Sequence, residues 1–274
     1  MRKDSASKLI FIFLSIVGIL AFLSLSYKAY LVIADSSFKD STFNVLFLDD
    51  DAYLLHLDKL QTKAIVIKFP SQRRSFLNKT RLRNSIELGI PIDGMIVAKK
   101  KLSFENLNQG LLGFADILKV YLNAYDFELV DLNHYDLLKI YLASESISKN
   151  DKLMAEAIQD SDDLSKNEKL SKLKDNFRDR EIFNDKTTIE VVNATGIDGM
   201  GGMASNMLTT LGYNVLSIRT EEYKDSRITT KIENSSPSIA RLGKLLNLRV
   251  DKGPEAAIAD VVIILGSDIA TTLN

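Results

Sequence analysis

Between Lys8 and Lys28 runs LIFIFLSIVGILAFLSLSY, 19 residues without a charge and nearly all apolar. As a helix that stretch covers about 30 Å, the thickness of a bilayer's hydrocarbon core. Arg2, Lys3 and Lys8 precede it against Asp4 alone. The positive-inside bias therefore predicts a cytoplasmic N-terminus, with everything after the helix on the far side of the membrane. A cleaved signal peptide is the rival reading, but the run passes into SYKAYLVIAD rather than a small-x-small site, so an uncleaved anchor over residues 1–34 is expected.

The remaining chain excludes several classes of chemistry. There is no cysteine, hence no disulfide, thiolate zinc site, cysteine nucleophile or lipidated cysteine, and His56 and His134 are too few for a histidine metal cluster. His56 in LLHLD reads as a strand residue, and His134 as a surface or capping residue. The first 34 residues hold four basic and one acidic side chain, leaving 31 basic against 35 acidic, so no nucleic-acid partner is expected.

FNVLFLDD, AYLLHLD and KAIVIKFP read as three strands, RNSIELG as a short helix ended by Gly89, and PIDGMIVAKK as a fourth strand. Helical spacing continues from Ser103 to Tyr125 and in DLNHYDLLKIYLASES. Together they predict an α/β domain over 42–148. From Lys149 to Lys186, 19 of 38 residues are charged, with both signs interleaved. That composition, including KLMAEAI and LSKLKDNF, predicts a charged helical linker. Beyond it, Thr188 to Val192 predicts a strand, and Met203, Met207, Leu208 and Leu211 line a helix ended by Gly212. YNVLSIR and ITTKIE follow as strands, Ser236 and Pro237 open a second helix through Leu246, and the continuous apolar run Val261 to Leu265 predicts a central strand. The expected fold class is thus α/β: an N-terminal transmembrane helix, then two small extracytoplasmic α/β domains, the second over 187–274.

IEVVNATGIDGMGGMASNMLTTLGY and the closing LGSD resemble the C-terminal domain of LytR-type cell-envelope proteins, in which a strand enters an N-G-T-G-like turn and a helix ends in L-G-[FY]. NVLFLDD, DAYLLHLDKLQTKAIVIKFP and above all LGIPIDGMIV are similar to a shortened LytR-CpsA-Psr domain. That family transfers glycopolymers from polyprenyl-pyrophosphate carriers to the cell wall, and Asp51 falls at its D-T aspartate. The family's arginine after the third strand is replaced by Ser71, and its second arginine cluster is missing. Phosphoryl transfer rests on positioning and charge neutralisation by arginine and Mg²⁺. The resemblance therefore implies a non-catalytic binding or scaffolding module of the cell envelope without a cofactor. The alternative is residual phosphotransfer, with Mg²⁺ on Asp49 and Asp51 and with Arg73 or Arg74 in place of the lost arginine.

Two further stretches are candidate anion sites. Lys68, Arg73, Arg74, Lys79, Arg81 and Arg83 form a basic run that either meets lipid or polymer phosphate or is a solvated face. Gly196, Gly199, Gly201 and Gly202 form a loop before a helix, with Asn193 and Thr195 at its mouth. Glycines there either open backbone N–H groups to an anion or shape a tight turn, and the spacing is no nucleotide fingerprint. Expected partners are the bilayer, wall glycopolymer or polyprenyl-phosphate lipid, and a protein of the envelope.

Overall fold

A computed structural model of the chain describes residues 3–34, 36, 41–69, 73–99, 126–147, 152–156, 175–233, 236–253 and 258–269. The protein is a mixed α/β molecule with an N-terminal apolar helix and two sheet-containing domains. Helix α1 spans Lys3–Ala34, and from Phe11 onward every side chain around its circumference is exposed. A helix apolar all round needs a protein core or a membrane to cover it, and among the described residues nothing buries this one.

The first sheet is built on a hairpin. Strands β1 (Thr42–Leu48) and β2 (Ala52–Asp58) pair antiparallel in full register, and all fourteen of their residues are buried. Strand β3 (Lys63–Phe69) pairs antiparallel with β2, and β4 (Gly94–Ala98) lies parallel to β1. Helices α2 (Arg73–Leu77) and α3 (Arg81–Leu88) fill the β3–β4 crossover. Thr80 caps α3, and Gly89 ends it in the left-handed conformation that glycine adopts freely, as the sequence predicts. Strand β5 (Phe127–Val130), unforeseen in the sequence, continues the sheet beyond β4. Helix α4 (His134–Ser146) follows, its first turn closed by reciprocal hydrogen bonds between Asn133 and Asp136. The helix expected from Ser103 to Tyr125 lies outside the described residues.

Lys152–Glu156 corrects one expectation. Assigned by composition to a helical spacer, it is strand β6, parallel to β3, which completes the order β5-β4-β1-β2-β3-β6. Backbone pairing offered by the edge of β3 overrides a local pattern equally compatible with a helix. Residues 157–174 of the expected linker are outside the described ones. Its end is a 3-10 turn at Asp175–Phe177 and helix α5 (Arg180–Asp185), capped by the Asp179 carboxylate.

Both faces of the first sheet are covered. Phe43, Val45, Phe47, Leu55 and Leu57 pack with Leu137 and Ile140 of α4; Leu46, Leu54, Ile65 and Ile67 pack on the other side with Phe76, Leu88 and Phe177.

The second sheet comprises β7 (Thr188–Asn193), β8 (Asn214–Thr220), β9 (Arg227–Thr230), β10 (Val250–Lys252) and β11 (Val261–Leu265), in the order β10-β9-β11-β7-β8. Strand β11 is central, as its continuous apolar run predicts, while the short β10 was not foreseen. Helices α6 (Met200–Leu211) and α7 (Pro237–Leu246) share one core with Ile189, Val191, Val261 and Ile263. That core also takes in Leu82 and Ile86 from α3 of the first domain. The two domains are therefore not beads on a string; they share apolar interior.

Candidate functional site

The expected acidic residues, with Lys68 and Arg73, lie at one end of the strands of the first sheet. Asp49, Asp50 and Asp51 form the β1–β2 turn, closed by the Asp49 amide donating to the Asp51 carbonyl at 3.0 Å. Asp51 accepts an ion pair from Lys68 at 3.0 Å, so a cation already meets this carboxylate. Among the described residues no three His, Cys, Asp or Glu side chains gather as a metal site. Arg73 begins α2 and donates to the Ala98 carbonyl. Because Val97 is in register with Leu48, that carbonyl sits at the end occupied by the aspartate turn. Arg74 beside it is exposed.

The rest of the basic run serves the interior and the helix surface. Arg83 and Lys79 both bind Glu87. Burial pushes that carboxyl up, but the hydrogen bonds from Arg83 and Lys79 outweigh it and hold Glu87 below the ordinary carboxylate range. Arg81 is buried, its Nε on Asp131 at 2.5 Å, one terminal nitrogen on the Ile92 carbonyl at 2.6 Å and the other on the Leu245 carbonyl of α7 at 3.0 Å.

A second arginine makes the link between domains stronger. Arg241 of α7 meets Asp93 of the first domain through two parallel contacts, Nη1 to Oδ1 at 2.6 Å and Nη2 to Oδ2 at 2.9 Å. Both side chains are only 2 % exposed. Asp93 also accepts the Asn44 amide at 2.7 Å, and Asn44 in turn binds the imidazole of His56 at 2.7 Å. Phe177 lies against that imidazole with ring centroids 4.7 Å apart and planes inclined at 53°. Burial above all, helped by Lys63 and Arg241, pushes the His56 pKa down to about 3, so the ring is neutral. At the start of β1, Asp179 receives the Ser41 and Thr42 hydroxyls at 2.8 and 3.0 Å while capping α5.

The glycine loop between β7 and α6 is built from local bonds. Asn193 Oδ1 accepts the Thr195 amide at 3.2 Å and hydroxyl at 2.7 Å, and Asn193 Nδ2 donates to the Ile197 carbonyl at 3.0 Å. Thr195 Oγ1 takes the Ile197 amide at 3.0 Å. Both side chains at the mouth are thus engaged in the turn. Gly196 and Gly199 have φ of 75° and 76°, and a Cβ on Gly201 would lie 2.9 Å from Ile218 Cγ2. Gly202 faces open space.

Where α2, α3 and β4 face the end of α7, a cleft of about 650 Å³ opens between the domains. Leu77, Met95, Val97, Val130, Leu246 and Leu248 give it an apolar floor. Lys79, Glu128 and Asn247 are among its polar lining residues.

Residues 186–268 match the family model described as LytR cell envelope-related transcriptional attenuator. The match to LytR_C covers the C-terminal domain. No curated protein matches the chain. Among solved structures, the X-ray structure of Lin1025 protein from Listeria innocua is similar to 72 % of this chain and 89 % of its own, with 18 % identity and a TM-score of 0.21.

Within the matched region the closing L-G-S-D segment has a structural role. Asp268 binds the amide and hydroxyl of Ser226, and Gly266 passes so close to Lys224 that a Cβ would sit 2.7 Å from its carbonyl oxygen. Sequence reasoning missed Arg241 and Asp93. The available signal was an arginine beside Leu242 and Leu245 on the apolar side of α7, and a carboxylate inside the apolar stretch IPIDGMIV. A charge in such surroundings needs a partner.

Proposed function

We propose that the protein is a membrane-anchored, extracytoplasmic module that binds or scaffolds components of cell-wall glycopolymer assembly, with α1 as an uncleaved anchor and no phosphotransfer centre. The LytR_C match supports the cell-envelope setting. The observation that carries the non-catalytic reading is the engagement of Arg81 and Arg241 between the domains, together with the Lys68–Asp51 pair. A phosphate cradle requires cations aimed at solvent, and here these cations hold the molecule together. The interdomain cleft offers apolar surface reached from both domains, suited to an isoprenoid or sugar chain.

The shared end of Arg73 and the aspartate turn favours a second reading, residual transfer with Mg²⁺. Titration of the full chain in nanodiscs with short polyprenyl-pyrophosphate glycans and wall polymer, with and without Mg²⁺, separates the two. The binding-module reading expects Mg²⁺-independent binding that survives Arg73→Ala with Arg74→Ala. Binding that needs both Mg²⁺ and these arginines, accompanied by polymer transfer, would replace it with the transferase. No binding to either ligand would leave a scaffold for a protein partner.

A further inference from the structure

The end of the apolar helix is fastened to the first domain. Asn133 Nδ2 donates to the Val32 carbonyl at 2.9 Å in the last turn of α1. Ser36 donates to Asp136 at 2.6 Å and receives Lys139 at 3.3 Å. These bonds set the height of α4 above the bilayer. With the uncharged run ending at Tyr27, Lys28 marks the upper limit of the hydrocarbon, and Val32 stands four residues or about 6 Å above it. Headgroups occupy roughly the next 5–8 Å, so the start of α4 lies at their depth. Tyr27 and Tyr30, both exposed, flank that level in the manner of an interfacial aromatic belt.

From there α4 runs along the edge of the sheet where the chain leaves the membrane. Its far end reaches the β2–β3 turn, where Leu142 and Ile147 line a groove of about 390 Å³ with Leu57, Lys59 and Lys139. This edge exposes three large apolar side chains: Leu60 at the turn (57 %), Leu138 (45 %) and Leu142 (56 %). Leu138 and Leu142 lie four residues apart, one above the other on the helix surface.

We infer that α4 and the β2–β3 turn form a lipid-contacting face that lies against the outer leaflet, with Leu60, Leu138 and Leu142 entering the headgroup layer and Lys59 and Lys139 meeting lipid phosphates. This inference rests on the reading of α1 as a membrane anchor. Covering the apolar side chains removes them from water, and the ammonium groups suit an anionic lipid surface. The first domain is then held by its helix at one point and by this face at another, which fixes its tilt. The opposite edge, with Asp50, stands about 20 Å farther out, the length of β1.

The natural chain has no cysteine, so single nitroxide labels test the face directly. Leu60→Cys, Leu138→Cys, Leu142→Cys, Asp50→Cys and Gly18→Cys are labelled in the full chain in phosphatidylethanolamine/phosphatidylglycerol vesicles. Their accessibility to oxygen and to a water-soluble nickel complex is then measured. The expected result is hydrocarbon depth at 18, headgroup depth at 60, 138 and 142, and a fully aqueous value at 50. Pairing Leu138→Gln with Leu142→Gln should move the label at 60 toward the aqueous value and leave the label at 18 unchanged. Aqueous values at 60, 138 and 142 with 18 still in hydrocarbon overturn the lipid face and leave the anchor standing. Labels at those three sites shielded from both reagents overturn it in favour of a protein contact. An aqueous value at 18 removes the anchor reading and this inference with it.

Discussion

Two polar clusters of the molecule, the Asp93–Arg241 clasp and the glycine loop, are assembled in opposite ways. The clasp joins residues 148 positions apart, is ionic, and has both side chains almost fully buried. In the loop the bonds of Asn193 and Thr195 join neutral groups and span no more than four positions. A local turn carries its partners with it wherever the chain goes. A buried ion pair exists only when two domains are already in place, so it reports on the assembled molecule and on nothing smaller.

Breaking the clasp should give the largest effect. Arg241→Met leaves the Asp93 carboxylate buried beside Asn44 without its cation, and removing one member of a buried pair costs about 3–5 kcal/mol. Urea unfolding of the full chain followed by circular dichroism, which needs no tryptophan, reads this as a lower midpoint. Adding Asp93→Asn should recover a large part of the loss, because the stranded charge is gone. A single variant as stable as the natural chain would show that the clasp is not a structural joint.

The clasp also predicts an acid limit. His56 lies one hydrogen bond from Asn44, which is itself bonded to Asp93, and its pKa is lowered from 6.5 to about 3. Between those values the unfolded chain binds the proton and the folded chain does not. Stability is therefore complete above pH 6.5 and declines as the pH falls toward 3. At pH 5 the loss from this group is about 2 kcal/mol, from 1.5 units at 1.36 kcal/mol each. His56→Gln should flatten that part of the pH profile. A profile unchanged by the substitution would assign the acid sensitivity to other groups.

These expectations also mark what one sequence displays. The strands of the hairpin, the caps at Gly89 and Gly212, Pro237 opening α7 and the central β11 were legible because each is written in neighbouring residues. β6 was not, since KLMAE carries no pattern that excludes a helix and becomes a strand only where β3 offers its edge. β10 and β5 are short pieces completed by partners elsewhere. The same limit governs the candidate site. The glycine loop was conspicuous because glycines cluster in sequence, and Asn193 and Thr195 do meet there, though bonded to the turn itself. Arg241 and Asp93 were invisible as a pair because nothing local joins α7 to the end of LGIPID.

The smallest expected effects sharpen the loop's side of the contrast. Gly201 and Gly202 are adjacent, both in the first turn of α6, and equally glycine to a motif search. Gly201 packs against Ile218 and Asn193, and a Cβ would approach them to 2.9 and 3.1 Å, whereas Gly202 meets nothing within 4 Å. Gly201→Val should therefore cost about 1–3 kcal/mol through overpacking. Gly202→Ala should instead stabilise by up to about 1 kcal/mol, the difference in helix propensity. If the loop only shapes the turn, ligand affinity in nanodiscs should be unchanged by Gly202→Ala while the unfolding midpoint rises. A binding loss from Gly202→Ala, in a protein that has become more stable, would mean that the open space over Gly202 receives a ligand; the loop would then join the cleft as part of the binding surface.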